Sequence, residues 1–511
     1  MPEYYSPGVY VEEVDSGSRP IQGVGTAVAA FVGLAEEGPF NTPTLVSNWL
    51  QFTSKFGGFV AGSFLAHSVY GYFMNGGGNC YIVRIGDEES AESQPAVPQA
   101  MLRGYRISAV ESGVTDGEIQ LEVVEAGGDA PTEDMFKLLV KRGGQVVEEY
   151  DRATVGRGRQ NLAAMVRDAS KVISIEDTRK QGAAAEKPDV GEVATLVKPP
   201  PPEALPSPRL SADDYVGEVM DRSGVQGLEA IDDVTMVCVP DLMSAYRQGA
   251  ITLETVQAVQ LAMIAHCELM GDRVAVLDPP PGLNAQQIKE WRQDKAGYDS
   301  AYATLYWPWI STLDMTTGEQ ILLPPSGHMA GIWGRNDDTR GVHKAPANET
   351  VRGAVSLEMQ ITRKEHDLLN PIGINCLRSF PGRGIRVWGA RTLSSDPAWR
   401  YLNVRRYFNY LEESILGGTN WVVFEPNDDA LWAKIRRTIS AFLAMEWRKG
   451  ALFGLTPDEA YFVKCDRETN PSEAIDAGQV LCMIGVAPVK PAEFVIFRLA
   501  QFSGGTSLIT E

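Results

Sequence analysis

Short apolar runs and helix-like segments alternate over residues 21–86. The runs TAVAAFVGLA and NCYIVRI predict buried strands, because four to eight apolar residues between polar boundaries are typical of strands covered on both sides. Between them, SNWLQFTSKFGG and FLAHSVYGYFMNGGG predict helices that end at glycines. The pattern therefore predicts a small α/β segment over residues 21–86.

The same alternation resumes after residue 210. VTMVCVP, RVAVLDPP and ATLYWPWI predict three buried strands, and ITLETVQAVQLAMIAHCELM and NAQQIKEWRQDK predict the helices between them. Buried strands joined by helical crossovers are typical of a parallel sheet with helices on both faces. We therefore predict a doubly wound α/β core over residues 211–369, within a multidomain chain of the α/β and α+β classes.

The remaining interior segments differ in composition. Alternating stretches such as EIQLEVVEA and FKLLVKR predict an inserted, mainly β module within residues 87–210. Its last part, residues 178–210, is rich in proline, alanine and charge and predicts an extended linker. Strands and helices alternate again over residues 370–490, which predict a C-terminal α+β domain.

Each end of the chain carries an apolar strand with little of its own to pair with. SPGVYVEEV lies in residues 1–20, and PAEFVIFRLAQFSGG begins the segment 491–511. One short strand buries too little surface to offset its ordering entropy, so it must either join a sheet elsewhere or stay disordered. The pattern favours exchange of strands with neighbouring chains, which would generate an open helix or a ring. Pairing within the same chain is the alternative.

The clearest amphipathic helix is predicted over residues 428–449, in PNDDALWAKIRRTISAFLAMEWRKG. Asn427 or Asp428 would cap its start, and Gly450 would follow its end. On a helical period of 3.6 residues, the side chains of this segment fall on two separate sides of the helix. The core-facing set is Leu431, Ile435, Ile439, Phe442 and Glu446, and the second set is Lys434, Arg437, Ala441, Ala444 and Arg448. The second set is either a docking surface for an acidic partner or an ordinary solvated face.

Composition restricts the classes of partner and compartment. The chain has 511 residues, enough for about three domains, and a formal net charge of −20, which argues against nucleic acid or an anionic membrane as partner. Its six cysteines include no CxxC pair and fit a reduced compartment. The start of the chain has no basic region followed by an apolar segment, so we expect cytoplasmic synthesis without a Sec-type signal peptide.

No familiar catalytic motif is present. The sequence contains no GxGxxG, no GxxxxGK[ST], no GxSxG and no HExxH. His266 and Cys267 are predicted to be buried in a helix, and Ser326 has no base within sequence reach. Asp337 and Asp338, in GRNDDTRG, are predicted to lie in a solvated loop. We therefore predict no catalytic residue, no cofactor and no metal site.

Several long motifs, found in order, carry a family resemblance. SPGVYVEEVDSGSRPIQGVGTAVAAFVG, GHMAGIWGRNDDTRGVHKAPANE, INCLRSFPGRGIRVWGARTLS, WRYLNVRRYFNYLEESI and APVKPAEFVIFR together resemble the contractile tail sheath proteins of myophages, tailocins and phage-tail-like injection systems. The similarity covers about residues 1–86 and 230–505. Residues 87–210 match no common pattern, as expected of a variable module that faces outward.

The resemblance implies a mechanical function without catalysis. Sheath subunits stack as six-fold rings around an inner tube and contract from a metastable extended state to drive the tube through a target envelope. The implied partners are other copies of the chain, the tube protein, the baseplate and a terminator or cap protein, with no membrane insertion. Two alternatives are an accessory sheath paralogue near the cap or baseplate and an α/β enzyme with an unrecognised site.

The resemblance also implies roles for particular residues. Terminal arms of neighbouring subunits would complete a sheet in the C-terminal domain of another subunit. The residues expected to hold the arms in that sheet are Val9, Tyr10, Val11, Val495, Phe497 and Leu499. The helix 428–449 would face the tube, with Lys434, Arg437 and Arg448 as its contacts.

Overall fold

The computed structural model describes residues 20–86, 98–103, 105–110, 118–127, 135–155, 161–177, 187–197 and 211–496. The chain divides into two compact units, of which one contains residues 87–208 and the other contains the rest. The larger unit therefore comes from two separate parts of the chain.

The first part of the larger unit supplies strands and helices of the predicted types. They are β1 (Ala29–Gly33), β2 (Thr44–Val46), α1 (Trp49–Phe56), α2 (Leu65–Met74) and β3 (Cys80–Arg84). Helix α1 begins at this point because the Asn48 side chain accepts a hydrogen bond from the Gln51 N–H at 2.9 Å. Phe52 and Phe56 then bury the inner side of the helix.

The smaller unit is mainly β, as its alternating pattern predicts. Its elements are β4 (Gln99–Leu102), β5 (Tyr105–Ala109), β6 (Ile119–Val124), β7 (Phe136–Arg142), β8 (Gln145–Ala153), α3 (Leu162–Ala169), β9 (Ile173–Asp177) and β10 (Val193–Thr195). The strands form two antiparallel sheets, ordered β4-β5-β9 and β10-β6-β7-β8. Alternate residues of β6, namely Ile119, Leu121 and Val123, are buried.

One prediction for this unit is wrong. The segment 178–210 was expected to be an extended linker, but β10 lies within it and pairs with β6, where Ala194 is opposite Leu121. Leu196 is fully buried next to this strand. The apolar residues of VATLV gain more by burial against β6 than an extended linker could gain in water. The proline run at 199–202 lies outside the described residues.

The larger unit resumes at residue 211 with alternating helices and strands. Its elements are α4 (Ala212–Val216), a 3₁₀ helix (Gln226–Ala230), β11 (Met236–Cys238), α5 (Asp241–Arg247), α6 (Leu253–Met270), β12 (Val274–Leu277), α7 (Ala285–Glu290), a π-helix (Trp291–Ala296), β13 (Ala303–Trp307), β14 (Ile310–Leu313), β15 (Gln320–Leu323), α8 (Ser326–Arg340), β16 (Ser356–Leu357), α9 (Arg363–Leu369), a 3₁₀ helix (Asn370–Ile372), β17 (Ile374–Phe380) and β18 (Gly384–Val387). Helix α6 ends as predicted, with Gly271 in the left-handed conformation.

An eight-stranded sheet forms the centre of the larger unit. Its order is β18-β17-β13-β12-β11-β1-β3-β2, with β1, β3, β11, β12, β13 and β17 parallel and β2 and β18 antiparallel at the edges. Successive residues of β1 point to opposite faces. Ala30 and Val32 pack with residues of α6 on one face, whereas Ala29 and Phe31 pack with residues of α2 and α8 on the other. The sheet is therefore covered by helices on both sides.

The prediction of a single strand over ATLYWPWI is wrong. Strand β13 ends at Trp307, and β14 begins at Ile310 in a different sheet, ordered β15-β14-β16. Pro308 stands between the two strands and has no N–H to donate to a neighbouring strand. The residues of β14 therefore do not belong to the central sheet. Ile310 of β14 packs against the face of that sheet that α2 covers.

The last part of the larger unit is built around two long helices. Its elements are α10 (Leu402–Thr419), a 3₁₀ helix (Asn420–Val422), α11 (Asp429–Arg448), α12 (Pro457–Ala460), β19 (Tyr461–Lys464), α13 (Ser472–Asp476) and β20 (Met483–Val486). Tyr407 and Leu411 of α10 share a core with Ile435 and Phe442 of α11. Ile21 is buried in the same core, so the start of the described chain packs against its C-terminal part.

The environment of Asp337 differs from the predicted solvated loop. Helix α8 continues through this segment to Arg340, and the Asp337 side chain is only 4% exposed. Its carboxylate accepts hydrogen bonds from both terminal nitrogens of Arg406 on α10, at 3.0 and 2.6 Å, and from the Thr26 hydroxyl at 2.7 Å. Arg335 does not pair with Asp337 but donates to the carbonyls of Asn75 and Thr350. The buried ion pair therefore joins three distant parts of the chain.

We expect Asp337→Asn to lower the free energy of unfolding of the unassembled protein by about 3 kcal/mol, because it leaves the Arg406 charge buried without its partner. Urea denaturation monitored by tryptophan fluorescence would measure the change. Asp429→Asn is the matched control, since Asp429 pairs with Arg467 on the surface and its loss should have no measurable effect. Equal stability of Asp337→Asn and the natural chain would contradict the prediction.

A second buried carboxylate fastens β1 to α2. Asp241, at the start of α5, accepts hydrogen bonds from the N–H groups of Leu34, Phe64 and Leu65 and from the Ser63 hydroxyl, which is 2.9 Å from the nearer oxygen. Burial raises the pKa of Asp241 to about 6, although these hydrogen bonds oppose the shift. The folded chain therefore retains the Asp241 proton at a pH where the unfolded chain has released it.

Because of this difference in proton binding, the free energy of unfolding falls as the pH rises from about 4 to about 6. Above that range Asp241 is ionised in both states and adds no further pH dependence. We expect the free energy of unfolding of the natural chain, relative to Asp241→Asn, to fall by about 2–3 kcal/mol across this interval. Urea denaturation of both proteins at several pH values would measure it. A difference that is constant with pH would contradict the assignment.

Candidate assembly surfaces

Both ends of the described chain rest on helix α10. Near the start, the Val24 N–H donates to the Ser414 hydroxyl at 3.2 Å, and Arg406 donates to the Thr26 carbonyl at 2.8 Å. Near the end, the Asn403 side-chain amide donates to the Val489 carbonyl at 3.1 Å. Both segments therefore contact the same helix.

The segment after β20 pairs with residues 451–453 and contacts Asn403, and its last described residues are exposed. The Glu493 carboxylate pairs with the Arg391 guanidinium, whose Nε lies 2.9 Å from one carboxylate oxygen. Phe494, Val495 and Ile496 follow, with 75%, 67% and 79% of their surface exposed. Residues 491–496 pair with no strand in the part of the chain that the structure describes. Their large apolar side chains therefore gain little burial within this chain.

Only Val495 among the predicted arm residues can be placed. Val9, Tyr10, Val11, Phe497 and Leu499 lie outside the described residues. The exposure of Val495 is compatible with a partner outside this chain, and the role predicted for all six residues stays a prediction.

Strands β19 and β20 form a small sheet with open edges. They pair antiparallel from Tyr461 opposite Val486 to Lys464 opposite Met483. Directly beyond β20, Pro488 lies opposite Leu452 in an isolated bridge, and the described residues add no further strand to the sheet. Phe462 is 57% exposed, and Met483 is 49% exposed. Because a two-stranded sheet is only marginally stable by itself, these strands can gain hydrogen bonds and burial by accepting another strand.

Helix α11 has the two faces that its sequence predicts. The Asp428 side chain caps its start by accepting a hydrogen bond from the Leu431 N–H at 2.8 Å, and all five predicted core-facing residues are buried. Arg437 and Arg448 are exposed on the other set of positions. Lys434 is half-buried, and its Nζ lies 4.1 Å from the centre of the Trp421 ring. Lys434 therefore already has a cation–π partner within the chain.

A further apolar surface, not predicted from the sequence, lies beyond the end of α11. Phe453 is 74% exposed and Leu455 is 90% exposed, in the segment that joins α11 to α12. The sequence shows an apolar run, ALFGL, directly after the predicted helix end at Gly450. The run resembles a core strand in sequence, so only the structure shows that these side chains lie on the surface.

His266 and Ser326, which the sequence offers as candidates for catalysis, make structural contacts. His266 is buried in α6, where burial and the neighbouring Arg273 lower its pKa to about 4. The Ser326 N–H donates to the Asp278 carboxylate at 2.9 Å, at the start of α8. The described residues contain no cluster of three or more histidine, cysteine or acidic side chains suited to a metal ion. No described helix is long and apolar enough to cross a membrane.

Two family models match adjoining parts of the chain. Residues 217–393 match the phage tail sheath protein central domain, and residues 394–502 match the phage tail sheath C-terminal domain. The tail sheath protein of Burkholderia phage BcepMu is 25% identical over 506 residues, covering 94% of this chain and 93% of the phage protein. The tail sheath protein of Vibrio phage KVP40 is 26% identical over 255 residues, covering 45% of this chain and 37% of the phage protein.

Solved structures share the fold over nearly the whole chain. The sheath complex of the extracellular contractile injection system PVC, in its contracted state, has a TM-score of 0.59 and 23% identity, with 98% of this chain and 99% of that chain covered. The helical sheath of the anti-feeding prophage in its contracted state has a TM-score of 0.58 and 24% identity, with 98% and 99% covered.

The fold and the family matches define a phage tail sheath protein. The chain belongs to the phage tail sheath family, whose central and C-terminal domain models together match more than half of its residues.

Proposed function

We propose that this chain polymerises as six-fold rings around an inner tube and contracts from a metastable extended state to drive the tube through a target envelope. The observation that carries the proposal is the exposure of Phe494, Val495 and Ile496 in a chain whose β19–β20 sheet has open edges. The solved sheath neighbours include contracted assemblies and a six-fold symmetrised baseplate, which supports the same reading.

Strand exchange supplies the links between subunits. The arms 1–20 and 491–511 each join the β19–β20 sheet of a neighbouring subunit, which turns a marginal two-stranded sheet into a larger one. Main-chain hydrogen bonds then hold the polymer together, whereas the folded part of each subunit moves as a rigid body. The Glu493–Arg391 ion pair fixes the point at which the C-terminal arm leaves its own subunit.

The exposed positions of α11 face the tube. Arg437 and Arg448 contribute the charges, whereas Lys434 contributes less because it already packs over Trp421. Exposed ion pairs in water are individually weak and screened by salt. A contact built from them can hold the extended sheath on the tube and still release it during contraction.

The other proposed partners are the baseplate and a terminator or cap protein. The subunit is synthesised in the cytoplasm, and residues 87–210 form the module that faces outward from the particle. Neither the assembly nor the stroke uses a nucleotide, a metal or another cofactor in this proposal.

We expect Val495→Pro to abolish long tubes, because proline removes an N–H from the donated strand. The variant should remain folded, since Val495 is largely exposed on its own chain. Negative-stain electron microscopy of sheath co-expressed with its tube and baseplate proteins would measure tube number and length. Met220→Asp is the matched control, because Met220 is 90% exposed and lies outside both arms.

Normal tubes from Val495→Pro, or from a chain lacking residues 1–20, would contradict strand exchange. Failure of the natural chain to form tubes in the presence of its tube and baseplate proteins would contradict the sheath function as a whole. The two results are therefore distinguishable.

We expect the double substitution Arg437→Glu and Arg448→Glu to weaken binding of the sheath to the tube about tenfold at low salt, because it replaces attraction by repulsion at two exposed sites. Co-sedimentation of extended sheath with tube over a range of salt concentrations would measure it. Lys364→Glu, which reverses an exposed charge on α9, should leave binding unchanged. An unchanged affinity of the double variant would exclude α11 as the tube surface.

A further inference from the structure

Two cysteines lie at the same end of the β19–β20 sheet. The register pairs Lys464 with Met483, and one further step along both strands brings Cys465 opposite Cys482. Opposed residues in an antiparallel pair have Cα atoms about 4.5–5.5 Å apart. This separation lies within the range that a disulfide spans. The register therefore favours a bridge without movement of the backbone.

Both cysteines of this pair are free thiols with polar neighbours. The Asn470 amide nitrogen lies 3.8 Å from the Cys465 sulfur. Arg436 donates to the Cys465 carbonyl, so a positive charge also lies close to this pair. Burial raises the pKa of both thiols, and these neighbours oppose that shift without cancelling it.

The other cysteines occupy different environments. The four that remain are buried in the central sheet or in helix α6, namely Cys80, Cys238, Cys267 and Cys376. Cys80 on β3 and Cys238 on β11 are separated by β1 in the sheet order, so their strands are about 9–10 Å apart, too far for a bridge. Cys482 is the one half-buried cysteine among the six, and this makes it the accessible member of its pair.

We propose that Cys465 and Cys482 form an intrachain disulfide when the protein meets an oxidising disulfide of the glutathione type. The Cys482 thiolate attacks one sulfur of the oxidant, which forms a mixed disulfide and releases one small thiol. The Cys465 thiolate then attacks the Cys482 sulfur and releases the second small thiol. Two protein thiols are oxidised to one disulfide, the oxidant is reduced to two thiols, and the two protein protons pass to the departing thiolates.

The bond would close the loop 466–481 and hold β19 beside β20. Closing a loop reduces the freedom of the open chain, so the sheet should open less often after oxidation. The pair would remain reduced during cytoplasmic synthesis and would oxidise after exposure to an oxidising medium. This inference does not depend on the proposed exchange of arms, although it concerns the sheet to which the arms are assigned.

The rate of closure should depend strongly on pH. Burial raises the pKa of Cys482 to about 12, so only a small fraction of this thiol is ionised at neutral pH. The thiolate is the attacking species, and its concentration rises about tenfold for each pH unit below the pKa. Closure should therefore accelerate about tenfold from pH 7.5 to pH 8.5.

Peptide mapping would test the proposal on the full-length protein. The folded chain is incubated with glutathione disulfide at pH 8.5, denatured, alkylated with iodoacetamide and digested with trypsin. Cleavage after Arg467 separates the two cysteines, so a bridge links two otherwise distinct peptides. We expect a linked product lighter than the reduced pair by two hydrogen atoms, with the other four cysteines alkylated.

Cys465→Ser is the matched variant, because serine is nearly the same size and cannot complete the second step. It should retain a glutathione adduct on Cys482, whereas the natural chain should retain none. Complete alkylation of all six cysteines in the natural chain would overturn the proposal. A persistent glutathione adduct on Cys482 of the natural chain would also overturn it, since it would show that Cys465 cannot reach the mixed disulfide.

Discussion

The buried ion pair between Arg406 and Asp337 connects the parts of the larger unit on which the remaining structure depends. Asp337 lies on α8, which covers the central sheet, and Arg406 lies on α10, which begins the C-terminal part. Thr26 joins the same network just before β1. Removing either charge of a buried pair is strongly destabilising, because the other charge is left without a partner away from water. The pair therefore holds the N-terminal segment, the sheet and the long helices in one body.

The exposed ends contrast with this compact unit. Its central sheet pairs eight strands and is covered by helices on both faces. The β19–β20 sheet and the segment Phe494–Ile496 differ, because they keep unpaired backbone or apolar surface within the described chain. In the proposed assembly, these surfaces join neighbouring subunits that change orientation without separating. The same sheet carries the Cys465–Cys482 pair, so its stability can depend on the redox conditions around the particle.

Much of the fold follows from local patterns. The apolar runs around β1, β3, β11 and β12, the glycine after α6 and the cap and core face of α11 all depend on neighbours within a few residues, which a sequence displays directly. The alternation in β6 and β7 predicts a mainly β module for the same reason. The proline-rich composition around residues 178–210 was misleading, because composition does not reveal that VATLV has β6 as a partner.

The sequence by itself determined the types of most elements and, through several ordered motifs, the sheath family. Only the tertiary structure decided how individual side chains are used. Asp337 is a buried partner of Arg406, Lys434 packs over Trp421, and Cys465 stands opposite Cys482, although each pair is separated in the chain. These outcomes depend on which faces meet after folding. Local propensity depends on residues that are neighbours in sequence, so it does not predict such distant contacts. The distant contacts determine which side chains are buried and hydrogen-bonded in the folded chain.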